Sequence, residues 1–339
     1  MSIRMTRGLF ATAAMLLLAS AAAAPAQLTM PAEALPAPTA ADRALLKDAI
    51  DIHAHLDPDS FGPHSAQAAR ALDSVDMALR ARTVHMRGFV VKHHYDETAG
   101  IAYLTRKAVP DIEVFGQLCL NLTVGGLNPA AVYQFAEVKG GFGRIVAMPT
   151  WDSENNIRRS AHPDLPFVTV SKNGALLPET KAVIAAVAAA KVRDSGASLA
   201  LSTGHVSAEE ALMIIREARK QGVKQIVVTH AMGHPVNMTI AQMKEAAGLG
   251  AFIEFVGGFA VGSRAEFTMQ QYYDAIRAVG PEHVILSSDS GQMNRPFPDD
   301  MIAYVAGQLR AKGMTTAELH KMMVENPTTL LGLPQPGMK

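Results

Sequence analysis

Eight short apolar runs punctuate the chain, at residues 49–55, 87–94, 113–121, 144–150, 198–205, 225–231, 251–257 and 283–289. Between most of them lie stretches with helical patterning, among them 64–83, 178–194, 207–221, 238–248 and 267–279. Strand-type runs separated by helices predict parallel pairing through βαβ units. Eight such units in about 290 residues have the size and rhythm of an α/β fold of the (β/α)8 TIM-barrel type. No linker divides the series, so the pattern predicts a single domain over residues 43–335. Residues 27–42, rich in Ala and Pro and without periodicity, read as a flexible lead-in. The longest connection follows the fourth run, from Trp151 to about Pro178. Within it Lys172-Asn173-Gly174 sits between apolar stretches and predicts a hairpin. Following a strand, that hairpin belongs over the catalytic face, as a specificity flap or as an ornament.

The first residues change where the barrel is expected to work. Arg4 and Arg7 precede an apolar stretch from Leu9 to Ala24, and Ala24-Pro25-Ala26 offers a small-residue cleavage site. This is the pattern of a signal peptide over residues 1–26, and it predicts an exported, periplasmic protein. The stretch is short and alanine-heavy, which argues against a membrane anchor. Removing it takes away two of the 31 basic and none of the 31 acidic residues, leaving a slight acidic excess. That balance does not call for nucleic acid as a partner. The single cysteine, Cys119, allows no internal disulfide framework and lies in an apolar run. The outer segment 183–190 is apolar enough for a second copy or for ordinary packing, so a homo-oligomer stays open.

Polar residues that close the apolar runs carry the chemistry. The first run ends in His53 and His55, one residue apart, so a strand presents both imidazoles on one face. The second ends in Lys92, His93 and His94, the fifth in His205, the sixth in His230 and the eighth in Asp289. Five strands thus end in a metal-binding or basic side chain at the face where barrel active sites are built. Each signal alone is weak; their shared placement is not a property of scattered structural histidines.

These features resemble the amidohydrolase superfamily of metal-dependent hydrolases. The motif is HxH on the first strand, histidines closing the fifth and sixth, and Asp closing the eighth. The tail Glu325-Asn326-Pro327-Thr328-Thr329-Leu330-Leu331-Gly332-Leu333 is similar to an ending common there, and the resemblance runs from about Ile50 to Leu333. Gly125-Gly126-Leu127-Asn128-Pro129 and Met148-Pro149-Thr150-Trp151-Asp152-Ser153 resemble an uncharacterised branch of it. The resemblance implies one metal on His53, His55 and Asp289 and a second on His205 and His230, with zinc expected and manganese or another transition metal as substitutes. Binuclear members usually bridge the metals with a carbamylated lysine from the fourth strand. The fourth run here ends in Pro149-Thr150-Trp151, and Lys92 stands at the end of the second instead. Lys92 is therefore the candidate carbamate, or else a plain ammonium or proton donor.

Secondary candidates surround these. His94 shares a face with Lys92 and is a candidate ligand or substrate contact, whereas His93 points the other way. Glu254, an acid inside an apolar strand, needs a partner and could orient a ligand histidine. His234, Trp151 and Arg264 fall on loops of the same face. Metals of this kind acidify water, and Asp289 beside them can carry its proton. The expected function is hydrolysis of an amide, imide, lactone or other ester bond in a small molecule. The alternatives are a mononuclear metal-dependent decarboxylase or hydratase and a phosphoester hydrolase. A binding protein without catalysis fits less well, because such proteins usually have two lobes and a hinge.

Overall fold

Each apolar run forms a strand of one parallel sheet: β1 (Ile50–Ala54), β2 (Gly88–Val91), β3 (Glu113–Cys119), β4 (Gly143–Ala147), β5 (Ala200–Ser202), β6 (Ile226–Val228), β7 (Phe252–Val256) and β8 (Val284–Ser287). The computed structural model describes residues 37–60, 69–262, 265–293 and 295–337. The strands pair in chain order. The last meets the first through a parallel bridge between Ala54 and Ser290, with His55 N–H donating to the Ser290 carbonyl at 2.9 Å. The sheet is thereby an eight-stranded parallel barrel of the expected TIM type.

Helices return the chain outside the sheet: α1 (Ser74–Thr83), α2 (Ala99–Ala108), α3 (Pro129–Ala136), α4 (Pro178–Ala189), α5 (Ala208–Lys220), α6 (Ile240–Gly248), α7 (Met269–Val279) and α8 (Pro298–Ala311). Capping boxes at Ser207/Glu210, Thr239/Gln242 and Thr268/Gln271 fix where α5, α6 and α7 begin. The segment expected to be helical over 64–83 is shorter. Asp73 accepts from Val75 N–H and Asp76 N–H and starts α1 at Ser74. The residues just before it are bridged instead, Arg70 to Gln292 and Asp57 to Asp73, while 61–68 lie outside the described residues. Among the described residues the first regular element is Ala40–Arg43, inside the expected lead-in, where Thr39 caps it and Asp42 accepts from Arg310 of α8. Residues 1–36, which carry the signal-peptide pattern, are not among the described residues, and no described helix is long and apolar enough to cross a membrane.

Two apolar layers follow from this geometry. Ile50, Ile52, Val90, Phe115, Ile145, Ala200, Val227 and Ile285 fill the barrel interior together with Leu330 and Leu331 of the C-terminal tail. A larger layer packs the outer strand faces against the helices, and Val183, Ile184, Ala186 and Val187 of α4 are buried in it. The hairpin expected around Asn173-Gly174 is present as Ser171–Lys172 paired with Ala175–Leu176. Asn173 (φ 52°) and Gly174 (φ 74°) both take the left-handed conformation that a two-residue turn of this hand requires. Ser171 Oγ donates to Glu210 in the first turn of α5, so the hairpin is anchored on that helix.

Candidate metal centre

A local irregularity in β1 sets up the site. Pairing with β2 shifts between Asp51 and Ala54, so strict alternation is broken there. Ile52 and the adjacent His53 consequently line the same small cavity, with Lys92, Gln117, Ser202, Thr229 and Glu254. Asp51, the last regularly paired residue before the shift, is buried, and its carboxylate accepts from His53 N–H, Ser288 N–H and Ser288 Oγ–H. That clamp ties β1 to the end of β8 and delivers Asp289, whose backbone is left-handed at φ 47°. Asp289 Oδ1 lies 3.3 Å from His53 Nε2 and 3.2 Å from His55 Nε2. His53, His55 and Asp289 form a group with ligand atoms within 4.8 Å of one another.

The remaining strand ends complete the ring. Lys92 is buried with Nζ 2.7 Å from His53 Nε2. Glu254 of β7 accepts from His53 Nδ1 at 3.0 Å, from Ser287 Oγ at 2.8 Å and from His230 N–H at 2.9 Å. His205 and His230 lie with ring centroids 4.8 Å apart, and His53 and His230 6.1 Å apart. His94 stacks on His55 at 5.1 Å and stands 5.8 Å from His205. Its Nδ1 is tied to Thr150 Oγ1 at 2.9 Å, which leaves Nε2 for the centre. Trp151 packs edge-on to His94 and near His205, its Nε1 buried without a hydrogen-bond partner. Ser153 Oγ and Asn155 Nδ2 hold the His205 carbonyl, so the long connection after β4 supports a neighbouring strand end.

The structure thus gathers His53, His55, Lys92, His94, His205, His230, Glu254, Asp289 and Trp151 at one end of the barrel. His234 is exposed, its backbone N–H donating to Glu266. Arg264 lies outside the described residues. Sequence reasoning missed Asn121 and Thr150. Asn121 Nδ2 donates to Thr150 Oγ1 and to the His94 carbonyl, while its Oδ1 accepts from Thr150 N–H. Both close apolar runs, the signal that singled out the histidines.

Electrostatics favour uncharged imidazoles. Burial, reinforced by Arg70, holds His55 well below the usual histidine range. Burial with His55 does the same for His94, and burial with His230 for His205. Burial and Lys92 bring His230 down to about 4. At His53, burial and Lys92 push the pKa down, but Glu254 and Asp289 outweigh them and it is raised. Burial alone would raise Glu254 and Asp289, yet His53 draws Glu254 down to about 2 and Asp289 well below the carboxylate range. Two anionic carboxylates therefore face a set of largely neutral nitrogens.

That set fits a divalent metal. The Nδ1 atoms of His55, His205 and His230 are buried without hydrogen-bond partners, which native interiors rarely tolerate. Neutral imidazoles beside an ionised carboxylate are the donors that zinc and manganese accept. Glu254 on His53 is the kind of outer partner that orients a metal-binding histidine.

The barrel is similar to several solved structures. The phosphotriesterase homology protein of Escherichia coli, complexed with phosphate in its active site, aligns at 17% identity and TM-score 0.56 over 84% of this chain and 99% of that one. The organophosphorus hydrolase of Deinococcus radiodurans aligns at 15% identity and TM-score 0.57, covering 85% and 94%. The 2,6-dihydroxybenzoate decarboxylase from Rhizobium aligns at 12% identity and TM-score 0.51, covering 84% and 99%. No curated protein sequence matches. A model of a family of unknown function, DUF6282, matches residues 48–254, from just before β1 to Glu254 on β7. The chain belongs to the DUF6282 family, and its barrel shares the fold of these solved structures.

Proposed function

We propose that this protein is a metal-dependent hydrolase that directs water at an amide, imide, lactone or other ester bond of a small molecule. The observation that carries the reading is the convergence of His53, His55, His205, His230 and Asp289 at one barrel mouth, with buried nitrogens lacking partners. His53, His55 and Asp289 would hold one divalent metal, and His205 and His230 a second. Such metals supply an acidified water and polarisation of the scissile bond. Asp289, ionised beside the ring, accepts a proton and returns it to the leaving group. Glu254 fixes the orientation of His53. Lys92, 2.7 Å from His53 Nε2, is assigned the bridging carbamate's place. His94, held through Thr150, and Trp151 form the wall against which substrate is oriented. Export through residues 1–26 to the periplasm belongs to the same reading.

The test is metal content per chain after purification with zinc or manganese and bicarbonate, for wild type and Lys92→Ala, alongside turnover of ester, lactone, amide and phosphotriester panels. Near two metals in wild type, falling to one or none in Lys92→Ala, with metal-dependent turnover, is the expected result. No turnover on any panel by the metal-loaded protein would remove the hydrolase reading.

One observation favours a second reading. The tight three-residue group holds only His53, His55 and Asp289, and His205 and His230 are not in it. A single metal there suits decarboxylation, the activity named for the Rhizobium neighbour. One metal in both wild type and Lys92→Ala, with loss of carbon dioxide from aromatic acids, would establish it. The organophosphorus hydrolase neighbour makes phosphoesters the third class to assay.

A further inference from the structure

His93 follows Lys92 at the end of β2, and its side chain is buried. Its Nε2 lies 2.8 Å from the Leu56 carbonyl oxygen. A carbonyl can only accept, so Nε2 carries a proton, and in the neutral ring Nδ1 keeps its lone pair. That Nδ1 is buried without a hydrogen-bond partner. Facing it at 3.8 Å is Asp59 Oδ1, also buried and also without one. Arg70 accounts for the other carboxylate oxygen, donating to Asp59 Oδ2 from Nε at 3.0 Å and from Nη2. Asp96, on the loop after β2, adds a carboxylate oxygen, and the three ligand atoms lie within 4.8 Å of one another.

A neutral imidazole nitrogen and a carboxylate oxygen this close inside a protein repel unless a positive charge lies between them or on the ring. A proton on Nδ1 would make the contact an ion pair, but at 3.8 Å it would form no hydrogen bond, and both buried atoms would stay without one. Two bonds of about 2.0–2.2 Å to one dication do span that distance. The histidine also has the outer hydrogen bond to a backbone carbonyl that metal-binding imidazoles usually make. One nitrogen and two carboxylate oxygens suit zinc or manganese better than calcium, which takes six to eight oxygens.

We propose that His93, Asp59 and Asp96 form a further binding site for a divalent transition-metal ion, separate from the centre around His53. The ion joins the loop after β1, which carries Asp59, to the loop after β2, which carries Asp96. It thereby braces the chain position next to His94 without touching the reacting groups. This site does not depend on what the main centre catalyses.

Zinc titration by calorimetry and elemental analysis of the full chain test it, with wild type, His93→Gln, Asp96→Asn and Asp289→Asn compared. His93→Gln is expected to hold one ion per chain fewer than wild type. Asp96→Asn alters an exposed residue, keeps the fold, and is expected to weaken the same ion on the order of ten-fold or more. Asp289→Asn leaves this ion in place whatever it does to the main centre, so failure of one site is read apart from failure of the other. Wild-type stoichiometry and affinity in both His93→Gln and Asp96→Asn would overturn the proposal. Should His93→Gln fail to fold, Asp96→Asn decides alone.

Discussion

Glu254 shows how much one side chain can carry. It is 3% exposed in a strand otherwise made of Phe, Ile and Val, and its two oxygens serve three donors. A buried carboxylate without such partners would cost several kcal/mol or take up a proton. Replacing it by Gln keeps the shape and removes the charge that orients His53. Glu254→Gln is therefore expected to weaken metal binding by about 10–100-fold, as read by calorimetry, with the fold intact by circular dichroism. Asp289→Asn probes a different role. It is expected to cut turnover by about 10²–10⁴-fold while metal content stays close to wild type, because the Asn carbonyl oxygen remains as a metal donor beside His53 and His55; unchanged turnover removes Asp289 from proton transfer. The histidines, Lys92 and Asp289 were legible in the sequence because each closes an apolar run. Asn121 and Thr150 obey the same rule, but neither ligates metal by habit, and only the structure shows them steering His94.

Elements were legible to different degrees for physical reasons. Strands buried on both faces read as continuous apolar runs, so all eight were found in place. Helix ends depended on caps: α5, α6 and α7 start within two residues of expectation because their capping boxes are visible in the sequence. The start of α1 was misjudged because alanines upstream of Asp73 mimic helix, whereas Arg70 and Asp73 are bridged to Gln292 and Asp57 on the loops after β8 and β1. The irregularity in β1 had no sequence signal, although it turns Ile52 and His53 toward one cavity. Gly291 follows from the same close packing: at φ 122° an added Cβ would sit 1.8 Å from the His55 carbonyl oxygen. Gly291→Ala is expected to destabilise the fold and to cost metal affinity together, since the displaced backbone carries His55; thermal melts with and without zinc would show both. At the far end, Glu318 caps the Thr316–His320 helix from Thr315 and binds Arg277 of α7. Arg277 first, with the Thr315 bonds, lowers its pKa from 4.5 to about 2. A depressed carboxylate stabilises the fold above its unfolded value and loses that contribution as pH falls through the folded value. Glu318→Gln should thus cost about 1 kcal/mol or less at pH 7, because the group is partly exposed. The gap from wild type in urea midpoints should shrink between pH 4.5 and 2.

Taken whole, the barrel was readable from the rhythm of its runs, because a (β/α)8 fold repeats one unit and each repeat reinforces the others. What the rhythm left open was the space above the strands, where loops of unequal length meet. A metal held there would be coupled to the barrel: any ion bound only by the folded state adds stability by mass action. At a hundred times the dissociation constant that amounts to about 2.7 kcal/mol, and removal by a chelator is expected to lower the melting temperature by about 5 °C or more. An unchanged melt would mean that the ring of imidazoles holds no ion.

The closing seam has a consequence for how the molecule is made. Asp51 and Ser288, clamped together, are 237 positions apart in the chain. The HxH pair emerges early in synthesis and Asp289 almost last, so the main centre has no complete set of donors until the final strand docks. Long-range closure of this kind is the slow part of folding. Metal capture by His53, His55 and Asp289, as proposed, would therefore report a finished barrel: a chain truncated before β8 keeps both histidines but lacks the carboxylate that completes the set.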